Sequence, residues 1–448
     1  MSKKSQGTTL FVCDFCGEEF IQWQGKCGNC GNWNTLKEFH VPAADTSSRA
    51  VGYTGQTTVS AIPLTSVAGG QTQRSSTGFA EIDRVLGGGI VAGSVILLGG
   101  DPGIGKSTLL LQVVQAMAVQ GEKNILYVSG EESPEQIKIR AERIGVHSGY
   151  IHLLAATNVE SIQFAIEKSL PALVIIDSIQ TMYDPAYPST PGSIVQVRET
   201  ALRIQRLAKQ TGVPVVLVGH ITKEGTIAGP RTLEHLVDVV LYLEGESSQQ
   251  LRILRAVKNR FGDISETGIF AMEESGMQEV TNPSSFLLAE RVQAPGSVLS
   301  AVLEGSRPML IEVQALTTPS VFGNPRRTAS GFDLNRLNLL LAVLQKRGGI
   351  NLSASDVFVN VVGGLKTKDP AVDAAVCVAL ASAHTEKILP ENLCILGEVG
   401  LGGELRRVIQ QERRIKEVEN LGYSVPTGAK DLASLLKKLE NKNTNFKR

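Results

Sequence analysis

The stretch Ser94–Leu110, SVILLGGDPGIGKSTLL, decides the fold of this chain. It opens on an apolar run of the kind a strand buried on both faces requires. A glycine-rich turn follows, and Lys-Ser-Thr then leads into a second apolar segment. Gly100 to Ser107 satisfies G-x-x-x-x-G-K-[ST], whose structural context is a strand, a loop and a helix in that order. The expected cradle is Gly100, Asp101, Pro102, Gly103, Ile104, Gly105, Lys106, Ser107 and Thr108. Its glycines let successive backbone N–H groups face phosphate oxygens, Pro102 stiffens the loop, and the helix N-terminus adds partial positive charge. Lys106 is expected to reach the β- and γ-phosphates of ATP. Ser107 is expected to ligate Mg²⁺, with Thr108 beside it.

Outward from the cradle, short apolar runs alternate with amphipathic segments over residues 76–285, the pattern of an α/β domain with a largely parallel sheet. The predicted strands are SVILLG, NILYVS, ALVIID, VPVVLVG and LRILRAV, with helices after the first four. Parallel strands deliver their C-terminal ends to one edge. Asp177, ending ALVIID, is therefore expected beside the cradle as a second Mg²⁺ site. Glu131 and Glu132, after ILYVS, are expected at the same edge. A carboxylate there orients the attacking water, Glu131 by preference and Glu132 next. The competing role is an acidic pair at a helix N-terminus before Ser133-Pro134, favoured by the dipole.

The chain has 448 residues, enough for two or three domains of about 100–200 residues each. Lys+Arg and Asp+Glu balance at 44 each, which neither favours nor excludes a nucleic-acid partner, because local patches outweigh the sum. There is no run of about 20 apolar residues and no apolar signal core at the N-terminus, so no membrane partner and a cytoplasmic location are expected. Cys13-x2-Cys16 and Cys27-x2-Cys30 form two knuckles within residues 1–40, spaced for one tetrahedral Zn²⁺ in a closed structural site. Metal binding would supply the folding energy of so small a segment. Trp23, Trp33 and Lys26 either contact a partner or, for the tryptophans, pack a core, the expected role; whether the finger meets DNA or protein is open. Residues 41–75 read as a linker. Residues 286–448 read as a second α/β block with helices near 333–347, 370–383 and 409–421, and Cys377 and Cys394 are expected as packing residues.

Thr77–Thr108, TGFAEIDRVLGGGIVAGSVILLGGDPGIGKST, resembles the RecA-like P-loop ATPases, especially the branch with KaiC and the DnaB-type helicases. With the four-cysteine finger, the KNRFG motif (Lys258, Asn259, Arg260, Phe261, Gly262) and the last block, the whole chain except the linker is similar to the bacterial RadA (Sms) family. The resemblance implies a homo-oligomer, a hexameric ring that hydrolyses ATP and moves along DNA in recombinational repair. It implies single-stranded and branched DNA as partners, and the RecA recombinase, whose strand-exchange branches it extends. RecA-like ATPases place nucleotide between subunits. Lys258 and Arg260 then serve a neighbour's γ-phosphate, hold a DNA phosphate in the channel, or form a solvated basic turn.

In such a fold the loop after VPVVLVGH faces the ring axis, which makes Lys223 and Arg231 candidate DNA contacts. His220 is either a γ-phosphate sensor or a packed polar residue. Arg203, Arg206 and Lys209 are expected on a solvated helix face, with Glu199 pairing Arg203 at i, i+4. Residues 286–448 resemble the proteolytic domain of Lon through GFDLNRLNLLLAVLQKRGG, DVFVNVVGGLKTKDPAVDAAVCVALAS and LGEVGLGGELRRVIQQERRIKEVENLGY. Lon uses a Ser–Lys pair. Here Val372 takes the serine position and Glu412 the lysine position, so a proteolytically inactive ring scaffold is expected. Arg326, Arg327, Lys346, Arg347, Lys366 and Lys368 are either a second DNA surface or scattered surface charge.

Overall fold

The structure is a computed structural model that describes residues 8–13, 19–41, 63, 74–220, 233–245, 250–320 and 325–443. Cys16, Lys223, Arg231, the side chain of His220 and most of the expected linker lie outside the described residues. The chain divides into two compact units, Met1–Ser247 with Arg252–Glu279, and Ser248–Leu251 with Val280–Arg448.

The first unit begins with three antiparallel strands, β1 (Thr8–Cys13), β2 (Glu19–Phe20) and β3 (Leu36–Val41), in the order β2-β1-β3. The short pair β4 (Arg74–Ser75) and β5 (Ile90–Val91) flanks α1 (Ala80–Leu86). Then follow β6 (Val95–Gly100), α2 (Lys106–Gly121), β7 (Ile125–Ser129), α3 (Pro134–Arg143), β8 (Ile151–Ala155), α4 (Val159–Ser169), β9 (Leu173–Asp177), α5 (Ile194–Thr211) and β10 (Val215–His220). β11 (Val239–Glu244), β12 (Leu251–Asn259), β13 (Thr267–Glu273) and β14 (Gly276–Glu279) complete a sheet of nine strands, ordered β14-β13-β12-β11-β6-β10-β9-β7-β8.

The strands from β11 to β8 in that order are mutually parallel. Their sequences are continuous apolar runs because both faces are covered. Ile96, Leu98, Tyr127 and Ile175 point into one core with α2, while Val95, Leu97, Val128 and Ile176 point into another with α4 and α5. LRILRAV is a strand as expected, but it runs antiparallel to β11. The strands β8, β11, β13 and β14 were not foreseen. β8 (IHLLA) is apolar apart from His152 yet lies at the sheet edge with its residues exposed or half-buried, and it is too short to separate from its flanks by pattern.

In the second unit β15 (Ser297–Glu304), β16 (Arg307–Pro319), β17 (Arg327–Ser330) and β18 (Ser355–Val361) form a mixed sheet in the order β15-β16-β18-β17. The helix Asp373–Thr385 packs on β15 and β16 with all residues from Asp373 to Ser382 buried. Helices Leu334–Arg347 and Gln411–Asn420 match the expected spans, and Leu432–Asn443 is an addition.

Candidate active site and metal centre

β6 ends at Gly100 and α2 begins at Lys106, so the cradle occupies the expected turn. Gly103 and Gly105 adopt φ of 76° and 110°, where a side chain is strained. A Cβ at Gly105 would also lie 2.5 Å from the Cε atoms of Met272 and Met277. That β13–β14 hairpin is fixed to α2 by Gln112, whose side chain accepts from Met277 N at 2.8 Å and donates to its carbonyl at 3.2 Å. Behind the loop, buried Arg252 donates from Nε to the Ile104 carbonyl at 3.2 Å. Sequence reading passed over Arg252, because a lone cation on an apolar strand gives no sign of the loop it supports.

Lys106 is 4% exposed, and its ammonium donates to the carbonyls of Gly100 at 2.7 Å and Asp101 at 3.0 Å. Burial pulls its pKa down, while Asp177, Asp101 and Glu131 pull it back up. A cavity of about 260 Å³ brings Lys106, Ser107 and Thr108 together with Glu131, Glu132 and Asp177. Asp177 Oδ2 accepts the Tyr127 hydroxyl at 2.7 Å, and burial ahead of Asp177's charge holds that phenol well above its ordinary pKa. Ser178 donates to Glu131 Oε1 at 2.5 Å. Glu132 instead pairs with Arg140 of α3, and its backbone N–H donates to Ser129 Oγ at 3.0 Å. Ser133 caps α3 with a reciprocal Gln136 contact, so the acidic pair precedes the cap. Arg140 was missed. Its only signal is its place three residues after Ile137, the buried anchor of α3.

This donor set fits a magnesium nucleotide. A buried ammonium and a helix N-terminus offer the positive charge a phosphate needs, while a hydroxyl and a carboxylate offer hard oxygens. Cys13, Cys27 and Cys30 likewise fit zinc, their sulfur atoms all lying within 4.8 Å of one another, with Cys13 and Cys30 at 3.7 Å. Trp23 and Trp33 are not core residues as expected; they are 58% and 69% exposed. The sulfurs, with Leu36, Phe11 and Phe20, already fill so small a core.

A family model described as an AAA domain matches residues 65–226, and one described as a rubredoxin metal binding domain matches residues 11–38. The DNA repair protein RadA of Bacillus subtilis (strain 168) is 49% identical over 92% of this chain and 90% of its own length. RadA of Pseudomonas aeruginosa is 48% identical over 94% of this chain and 93% of its own length. The chain belongs to the RadA family of DNA repair proteins. It thus joins a P-loop ATPase domain to a zinc ribbon, as the RadA resemblance implies.

The KNRFG motif lies at the far edge of the sheet from its own chain's cradle. Asn259 pairs with Val239, which pairs with Ile96 at the N-terminal end of β6, whereas the cradle follows Gly100. Those four steps of strand alone separate the levels by about 13 Å. Lys258 donates to the Glu234 carbonyl at 2.6 Å, and Arg260 reaches Asp238 Oδ1 at 3.2 Å. Asn259 donates to the Val85 carbonyl at 3.2 Å, Arg74 donates to the Phe261 carbonyl at 2.7 Å, and Gly262 packs on the Gly87 turn.

The helix face of α5 is more engaged than expected. Lys209 meets buried Asp238 at 2.7 Å. Arg203 binds Asp184 at 3.0 Å and also reaches Glu160, while Glu199 pairs with Arg198 rather than with Arg203. In the second unit Arg326, Lys346, Arg347, Lys366 and Lys368 are exposed. Arg327 is half-buried, and its guanidinium donates to the carbonyls of Ser355 at 2.5 Å, Leu352 at 3.0 Å and Arg326 at 3.0 Å. Val372 is fully buried ahead of the helix Asp373–Thr385, and Glu412 is exposed. Cys377 and Cys394 are buried, as expected of packing residues.

Proposed function

We propose that this RadA family member is a DNA-dependent ATPase motor of recombinational repair that promotes branch migration of strand-exchange intermediates made by RecA. Its working form is a homo-oligomeric, hexameric ring in the cytoplasm, and its substrates are single-stranded and branched DNA. The observation that carries the proposal is the grip of Lys258 and Arg260 on Glu234–Asp238. Those residues end the segment that holds Lys223 and Arg231, the candidate DNA contacts. Because the motif lies at the sheet edge away from its own cradle, its cations serve a neighbour's γ-phosphate. Hydrolysis at one protomer then pulls on the DNA segment of the next.

Within the site, Lys106 binds the β- and γ-phosphates, and the backbone from Gly103 to Lys106 orients them. Ser107 and Asp177 would hold Mg²⁺, which neutralises phosphate charge when bound. Glu131, oriented by Ser178, takes the proton of the attacking water, and Glu132 with Arg140 closes the side of the cavity. The second unit, with Val372 and Glu412 in place of a Ser–Lys pair, is a Lon-like ring scaffold without protease activity, and Arg326, Lys346 and their exposed neighbours form an outer DNA surface. The competing function is a nucleotide-gated binding module of the KaiC kind. ATP turnover measured with and without single-stranded DNA separates the two. Strong stimulation supports the motor, and turnover indifferent to DNA refutes it. Casein cleavage would refute the scaffold role.

A further inference from the structure

The zinc ribbon displays apolar side chains that its own core does not use. Ile21, Trp23 and Trp33 are 81%, 58% and 69% exposed. Both tryptophan rings come within 4 Å of the position a Cβ would take at Gly25, so they flank one glycine. The knuckle holds them there: Lys26 and Trp33 form an antiparallel bridge, and Asn34 N donates to the Gly25 carbonyl at 2.8 Å. The Lys26 ammonium lies 5.7 Å from the centre of the Trp33 ring. From Phe20 to Lys37, an interval flanked by Glu19 and Glu38, the only charged residues are Lys26 and Lys37, and the segment also carries the amides Gln22, Gln24, Asn29, Asn32 and Asn34.

We propose that Trp23, Trp33 and Lys26 form a stacking platform for the bases of single-stranded DNA. Flat rings accept any base face, a cation beside the ring attracts the phosphate backbone, and amides satisfy base edges. A protein-docking patch would ordinarily enclose its aromatics in an apolar, desolvated centre, whereas the segment that carries these rings is rich in amides and its only charges from Phe20 to Lys37 are the cations Lys26 and Lys37. The platform rests on the DNA-binding function proposed above. It gives that function a contact outside the ATPase domain, one that grips the strand chiefly through its bases.

Trp23 and Trp33 are the only two tryptophans of the chain, so tryptophan emission, excited beyond the absorption of the seven tyrosines, reports on the zinc ribbon alone. The full-length, zinc-loaded protein is titrated with unlabelled oligo-dT while tryptophan emission is read, and with labelled oligo-dT while anisotropy is read. Emission should be quenched in step with the anisotropy rise. Trp33→Ala and Trp23→Ala should each weaken binding by about tenfold at unchanged zinc content, and Trp33→Phe should recover most of the loss. Binding by anisotropy with unmoved emission and wild-type affinity in both alanine variants overturns the platform, assigns the face to a protein partner and leaves the DNA motor intact. No anisotropy change at any concentration overturns the DNA function and the platform together.

Discussion

Lys106 is the residue on which the proposed chemistry turns, and its surroundings let two effects be separated. Removing the ammonium in Lys106→Met should lower ATP hydrolysis by about 100-fold or more. It should not lower the thermal midpoint, because burial already disfavours the charged form and pulls the pKa below 10.5. A depressed pKa means that the folded state binds this proton less readily than the unfolded chain. Any stability that Lys106→Met gains should therefore be largest near neutral pH and shrink as pH rises toward 10.5, as urea unfolding across pH would measure. Tyr127→Phe tests the support of Asp177. Loss of the hydroxyl donated at 2.7 Å should slow turnover by about tenfold or raise the Mg²⁺ requirement, read as turnover against Mg²⁺ concentration. Neither Tyr127 nor Arg140 stands out in sequence, because each is known as a site residue only by what lies across the sheet or the helix turn from it.

At the scale of elements, the helix Asp373–Thr385 is tied to Leu334–Arg347 by one ion pair. Arg336 Nε donates to Asp373 Oδ1 at 3.1 Å, its Nη2 meets the other carboxylate oxygen, and Asp373 is 1% exposed. Arg336→Ala strands that carboxylate and should cost about 3 kcal/mol of stability in chemical denaturation, with less lost when Asp373 is replaced as well. The cysteines divide in the same way between elements. Burial pushes the Cys394 thiol up to about 12 and raises the Cys377 thiol further. A thiol reagent at pH 8 should label the ribbon cysteines once a chelator removes zinc, and should reach Cys377 and Cys394 only after unfolding. Labelling of Cys377 in the native protein would contradict the packing described here. Leu334–Arg347 was legible from its 3.6-residue pattern, burying Leu337, Leu340, Val343 and Leu344, whereas Asp373–Thr385 is buried on every side from Asp373 to Ser382 and carries no such stripe. The short strands β19 (Glu398–Val399) and β20 (Leu405–Arg406) pair across a glycine-rich turn and carry no pattern of their own.

At the scale of the whole molecule, the proposed sharing of the site between protomers makes a quantitative demand. Lys106→Met supplies an intact KNRFG motif but no working cradle, and Arg260→Ala supplies the reverse. Each variant alone should hydrolyse ATP poorly, and mixing them should restore a substantial fraction of activity, as a steady-state phosphate-release assay would show. Failure to complement, with both variants still assembling, would place Arg260 in a purely structural role. Its bond to Asp238, which Lys209 also holds, would then be its purpose. The motif reads ambiguously along the chain because its own-chain contacts, Lys258 on the Glu234 carbonyl and Arg260 on Asp238, are made with residues more than twenty positions away.

The sequence alone determined the cradle and the cysteine knuckles, because local spacing and backbone freedom are enough to specify a phosphate loop and a metal-binding turn. It also determined the strands buried on both faces, whose composition has to be apolar throughout. Tertiary structure decided what depends on partners remote in the chain. It set Tyr127 on Asp177 and Arg252 behind Ile104, ran β12 against its neighbour, and turned the ribbon's tryptophans outward. Burial and pairing are properties of the surroundings, and the surroundings of these residues come from segments that no short stretch of sequence contains.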